Sequence, residues 1–382
     1  MRAGRRRAGG RARARLRPPA HPGGRSRRAG VCPRAARGCR GAPHRRASRS
    51  SGGLSQLVPF LRRWGISLAS LIGGVLTLFV FRRGLPKVSL IVGYLLLLWL
   101  LVALLVQVRE TLSGSETRIS RFVLTATEYT IQTLYHGVLL FLLPAYWAAT
   151  TLASPNALFL ALLIVLALLA TFDPWYRAVV HPFPWFGYVF FLVSIFGALN
   201  LALPLVGVPP FWALLISAWL AVLALTPAVC RARAWRWRTG LVVTALVGLV
   251  VASAAALRPI VIPPAPLFLA SKSLGWTVGT IDSLEPIAGS IRAADLQQRG
   301  LVAYTAIYAP AGLRQPVEHV WRREGRIINV VRLTPVEGGR QEGYRTFSRK
   351  TAFPTDSVGR WTVDVMTASG QLIGRLRFRV VE

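Results

Sequence analysis

The stretch GRWTVDVMTASGQLIGRLRFRVV, residues 359–381, alternates apolar and polar side chains with a period of two. Trp361, Val363 and Val365 alternate with Thr362, Asp364 and Met366. Beyond ASG (368–370), Leu372, Leu376, Phe378 and Val380 alternate with Arg375, Arg377 and Arg379. Successive side chains of a strand point to opposite faces, so this pattern predicts two half-buried strands, and ASG suits the hairpin turn between them. Further candidate strands lie at 301–308, 317–323, 327–334 and 344–349, divided by turns that carry Gly or Pro. Six or seven short antiparallel strands within 301–382 predict a small Ig-like sandwich.

Upstream, the alternation gives way to long apolar runs at about 64–82, 88–108, 122–147, 157–172, 184–204, 209–229 and 239–257. Each approaches the length needed to cross a hydrocarbon core about 30 Å thick. With 53% hydrophobic and only 16% charged residues, the chain reads as an α-helical membrane bundle of about seven transmembrane helices, residues 54–258, followed by an all-β domain, residues 301–382. Between them, PIVIPPAP (259–266) predicts an extended, semi-rigid linker. LFLASKSLGW (267–276) suits a segment lying along a bilayer surface, and SIRAADLQQRG (290–300) suits a short helix.

The net charge of +33 is unevenly placed, because residues 1–50 hold 17 Arg and no Asp, Glu or Lys. Residues 1–53 cannot bury enough apolar surface to fold and read as a disordered Arg-rich tail, not a signal peptide. A mis-assigned start codon, a tail held at an anionic leaflet and a nucleic-acid arm all remain open for it. Arg outnumbers Lys 44 to 3, which reflects coding bias before phosphate recognition, so no nucleic-acid partner is expected. Cys32, Cys39 and Cys230 are the only cysteines and lie at no metal-binding spacing; neither a disulfide framework nor a metal or cofactor is expected.

Cytoplasmic loops carry the excess of Lys and Arg. Arg231, Arg233, Arg236 and Arg238 therefore put 230–238 in the cytoplasm, with the N terminus, 109–121 and 173–183. The uncharged turns 150–155 and 205–208 fall outside, as does the β domain, making it periplasmic in a Gram-negative inner membrane. Arg82, Arg83 and Lys87 conflict with this order, leaving the orientation of the first two spans open.

HVWRREGRIINVVRLTP, RTFSRK and VGRWTVDVMTASGQLIGRLRFRVV together resemble a bacterial C-terminal β domain of unknown function, often tethered to membrane helices. The His-x-Trp pair (His319, Trp321), Ser-Arg-Lys (Ser348 to Lys350) and Gly-x-Trp-x-Val (Gly359, Trp361, Val363) carry the resemblance, over about 300–382. The helical part resembles an equally uncharacterised module found with it. The resemblance implies architecture and no activity.

Three groups could carry chemistry. In EYTIQTLYH (128–136), Glu128, Gln132 and His136 recur every fourth residue, on one helix face. Entering near Phe122, such a helix would hold Glu128 roughly 9 Å and His136 roughly 21 Å deep. A proton relay or ligand site is one reading; helix–helix bonding to neighbours such as Asn200 or Ser194 is the other. Asp173, Arg177 and His181 gather in one loop, either as an Asp–Arg pair or as a plain membrane-edge turn. Arg375, Arg377 and Arg379, joined by Arg360, form a basic face that either blocks edge pairing or attracts an anionic ligand. His319 and Trp321 share a strand face, as a core pair or a surface pair.

No GxxxxGK[ST], GxGxxG after a strand, HExxH or GxSxG occurs, so nucleotide hydrolysis, zinc proteolysis and hydrolase chemistry find no support. The expectation is a non-enzymatic inner-membrane protein, bathed in membrane lipid, whose β domain binds or scaffolds an anionic envelope component or a protein partner. The alternative is a transporter working through Glu128, Gln132 and His136.

Overall fold

The computed structural model describes residues 118–382 apart from 181, 184, 278–286 and 288–289. The tail, the spans expected at 64–82 and 88–108, and His181 lie outside the described residues. Within them the helical part comprises α1 (Arg118–Ala149), α2 (Ala157–Thr171), α3 (Asp173–Val180), α4 (Trp185–Leu205), α5 (Pro210–Leu223), α6 (Thr226–Arg233) and α7 (Trp237–Leu257).

Three helices are long and apolar enough to cross a membrane: Trp185–Leu205, Pro210–Arg233 (α5 with α6) and Trp237–Leu257. A fourth candidate is α2 with α3, a pair bent by 107°. Of the five spans expected within the described residues, three are long and apolar enough, or four if the bent pair is one span, so seven transmembrane helices are not supported. The run at 122–147 does form a helix, α1, but Glu128, Gln132 and His136 interrupt its apolar character and it does not reach that class.

Helix α7 shows why these segments pack as they do. Gly240, Thr244, Gly248 and Ala252 recur every fourth residue and are buried, while Val242, Leu246, Leu249 and Val250 on the other sides are exposed. In lipid, apolar area gives helices little reason to associate, so small residues that admit close contact decide the interface. A side chain at Gly248 would meet the Trp219 backbone oxygen at 3.0 Å, and Thr226 and Thr244 hydroxyls bond at 2.6 Å across α6 and α7. In the neighbouring core, Tyr135 stacks on Phe190 at 5.6 Å, and Tyr146 donates to the Gly197 carbonyl at 3.0 Å.

The segment after α7 differs from expectation. Pro263, Pro264, Ala265, Pro266 and Leu267 are buried. Ala265 packs into the helical core and Leu267 into the β core, so this is a joint that both cores share, not an exposed tether. LFLASKSLGW does not lie on a surface either. It forms β1 (Phe268–Gly275), antiparallel to β3 (Leu301–Tyr308). SIRAADLQQRG forms β2 (Ser290–Arg292) and a short helix, α8 (Ala293–Arg299).

The remaining strands are β4 (Arg314–Gln315), β5 (Val317–Arg323), β6 (Arg326–Arg332), β7 (Val336–Glu337), β8 (Tyr344–Lys350), β9 (Gly359–Thr367) and β10 (Leu372–Val381). They form a three-stranded sheet, β1-β3-β8, a five-stranded sheet, β2-β10-β9-β5-β6, and the small pair β4-β7. The two larger sheets share one core, with Leu301, Ala303 and Ile307 from one and Trp321, Trp361, Val363, Val365, Leu376 and Phe378 from the other. The arrangement is not wholly antiparallel, because β2 runs parallel to β10. The sheets begin at Phe268, well before residue 301, so part of the expected linker, 268–275 and 290–292, is strand.

Candidate functional site

The polar face of α1 meets the end of another helix. Gln132 Nε2 donates to the Ala170 carbonyl at 3.0 Å and to Asp173 Oδ1 at 2.6 Å. His136 Nδ1 bonds Thr171 Oγ1 at 2.9 Å, and that hydroxyl also donates to Ala167 O at 2.7 Å. The last carbonyls of a helix have no partner within it. Because α2 ends in a sharp bend, the buried Gln132 of α1 satisfies a carbonyl of that terminus, while the buried His136 bonds the Thr171 hydroxyl beside it. Glu128 lies half-buried, four residues before Gln132. Asn200 is spent elsewhere, donating to Tyr146 Oη at 3.0 Å. Asp173 takes its bond from Gln132, while Arg177 is exposed.

The arginines of β10 do not form a uniform strip. Asp364, fully buried, lies opposite Arg375 in the β9–β10 register. Arg375 donates to it through Nε and through Nη2 at 2.9 Å, and Arg322 Nε adds a bond at 3.0 Å. A buried carboxylate requires such partners, since an unpaired charge there is strongly destabilising. Arg360 is held by Glu324, whose carboxyl the Arg360 backbone N–H and guanidinium keep below its ordinary range. On β10, Arg377 and Arg379 are exposed, and Arg360 stays exposed although Glu324 pairs with it.

Those same arginines reach the helical part. Arg375 Nη1 donates to the Ala153 carbonyl at 3.3 Å and Arg377 Nη2 to the same oxygen at 3.5 Å, in the turn between α1 and α2. Asn156, buried at the end of that turn, accepts from Thr151 N at 3.2 Å and donates to the Leu372 carbonyl at 3.5 Å. The turn after α4 also approaches the sandwich, with the Cβ direction of Gly207 3.7 Å from Gly312 O. The turns 150–155 and 205–208 thus meet the β domain, and the basic segments around Arg177 and Arg231 to Arg238 lie at the other ends of the same helices.

The elements behind the resemblance converge in the sandwich interior. His319 is fully buried between the sheets, with Nε2 3.0 Å from Thr305 Oγ1 and Nδ1 2.8 Å from Ser348 Oγ. Trp321 Nε1 donates to the same Ser348 hydroxyl at 3.1 Å. Burial holds the His319 pKa down to about 4. Trp361 donates to Ser357 O at 2.8 Å and stacks on Phe378, while Phe353 meets both tryptophans edge-on. Lys350 lies over Phe353 at 5.3 Å, and burial lowers its pKa. His319 and Trp321 are therefore a core pair, and Ser348 is the polar pin between the sheets. Although His319 and Ser348 have the spacing of a base and a nucleophile, both are buried and Trp321 also claims the hydroxyl.

Two pairings escaped the sequence reading. Counting outward from the 368–370 turn sets Asp364 opposite Gly374, and only a bulge between Leu372 and Gly374 brings it opposite Arg375, so that pairing could not be counted off the sequence. The capping of α2 by Gln132 carried no signal either, because it depends on where α2 bends. Among the described residues, no three or more His, Cys, Asp or Glu gather as metal ligands.

A family of unknown function (DUF5924) matches residues 49–303, and a second protein family of unknown function (DUF2914) matches residues 314–380. No curated protein and no solved structure matches. The break between the two matches falls within the sandwich. β1, β2 and α8 lie in the first match, whereas β5, β9 and nearly all of β10 lie in the second.

Proposed function

We propose, for a chain that belongs to the DUF5924 family of unknown function, that it is a non-enzymatic membrane protein holding its sandwich rigidly against one end of a helical bundle. There the sandwich docks an anionic envelope component. The reading rests chiefly on β10, where Arg375 is fixed by Asp364 and Ala153 while Arg377 and Arg379 stay exposed beside it. Arg375, paired with buried Asp364, builds the joint; Arg377 touches the same Ala153 carbonyl yet stays exposed, and with Arg379 it presents charge to a ligand.

The same geometry supports a sidedness. Arg177, Arg231, Arg233, Arg236 and Arg238 gather at the ends away from the sandwich, and an excess of Arg favours the cytoplasmic side. The sandwich then stands outside the cytoplasm, with Trp147 and Trp212, both exposed near its end of the bundle, at the headgroup level of an inner membrane. Gln132 caps a helix end and His136 bonds the Thr171 hydroxyl beside it, which supports a structural role and weighs against the transporter reading.

The test uses the full chain in nanodiscs of zwitterionic lipid, with dextran sulfate as the polyanion and uncharged dextran as control. Arg377→Glu with Arg379→Glu should weaken dextran sulfate binding by about ten-fold, as expected when two attractive contacts become repulsive. Unchanged binding would sink the proposal.

A further inference from the structure

The five-stranded sheet ends at β6, whose sole sheet neighbour among the described residues is β5. RIINVVR (326–332) is exposed along six of its seven positions, with Ile327 57%, Ile328 39% and Val330 45% exposed. An open edge offers a row of unpaired N–H and C=O groups, and proteins usually blunt it with Pro, inward charges or a cover. The other edges of the two larger sheets are short or charged: β2 is only three residues long, β8 exposes Arg345 and Arg349, and β1 exposes Lys272 in its middle. The interior of β6 instead holds only Ile, Asn and Val, with Arg326 and Arg332 at its two ends. A bulge between Trp321 and Arg322 twists the Arg326 end, while pairing with β5 is regular from Asn329 to Arg332.

We propose that β6 receives an extended, apolar segment of a partner protein, flanked by acidic residues, as an added strand of the five-stranded sheet. The arginines decide among the occupants. A second copy paired antiparallel about Asn329 would set Arg326 opposite Arg332 twice, and like charges directly opposite are destabilising. An acid-flanked strand turns both positions into attractive pairs. Arg332 is available for this, since its side chain remains 89% exposed despite Glu318 at 3.4 Å. A bilayer is the poorer match, because hydrocarbon cannot satisfy an open backbone edge, whereas an added strand does.

The probe is a seven-residue peptide of alternating valine and threonine with glutamate at both ends, compared with a counterpart carrying lysine at both ends. It is measured on the full chain in zwitterionic nanodiscs. The glutamate peptide should bind about ten-fold tighter than the lysine peptide, and Arg326→Glu with Arg332→Glu, at exposed positions, should invert that preference. Hydrogen exchange should slow at 326–332 on binding. Equal affinities or no binding overturn the proposal. So does a dimer that dissociates or tightens with the double variant, which would assign the edge to a second copy. Loss of binding to anionic vesicles in the double variant, without peptide preference, would overturn it in favour of a lipid surface.

Discussion

His319 has both ring nitrogens engaged and no exposure, so the fold holds it neutral. Its pKa of about 4 lies below the value of about 6.5 expected in an unfolded chain. Above about pH 6.5 neither state binds the proton and the fold keeps its full stability. As the pH falls toward about 4 the unfolded chain takes up a proton the folded one refuses, and roughly 3 kcal/mol is lost. Tryptophan fluorescence, dominated in this domain by the buried Trp321 and Trp361, should report a melting temperature that drops across that window. His319→Gln should flatten the drop while lowering the plateau. The sequence offered core or surface for His319 and could not choose, because its partners Thr305 and Ser348 come from the other sheet. Asp364 misled for a related reason: alternation marks a face as outward, and cannot show that Arg322 and Arg375 close over it.

The elements themselves were unevenly legible. Strands at 301–308, 317–323 and 344–349 fall within a residue of their observed bounds because each buries one face or both and so carries a plain apolar pattern. β1 was not legible, since the mixed apolar and polar run LFLASKSLGW suits a bilayer surface equally well and its support as a strand comes from pairing with β3. Helices were recognisable by apolar length, yet the surfaces that join them were not, because in α7 they consist of glycines, threonine and alanine. That gives a prediction for the element. Gly248→Leu should drive the new side chain into Trp219, which is already 3.0 Å from where a Cβ would stand. Overpacking of this kind costs about 1–3 kcal/mol, so thermal aggregation in detergent should come earlier, with Gly248→Ala between the two. Val250→Leu, on the exposed side, should leave it unchanged.

The whole molecule is divided differently from its two family matches. A fragment beginning at 301 lacks β1 and β2, removing the neighbour of β3 and the parallel partner of β10. Leu267, Leu274 and Ile291 would leave the core with them. A 301–382 fragment should therefore give a poorly dispersed amide spectrum and bind hydrophobic dyes, whereas 267–382 should give a well-dispersed amide spectrum and bind little dye. The sandwich also reaches back into the bundle, for Ala265 and Leu267, two residues apart, lie in different cores. A pivot needs slack, and five consecutive buried residues, three of them proline, leave none. Bundle and sandwich then move as a single lever: a few degrees of helix tilt, such as a change in bilayer thickness imposes, would swing the free edge of β6 instead of being absorbed at the joint. Membrane thickness itself would then set how far from the bilayer that edge is presented.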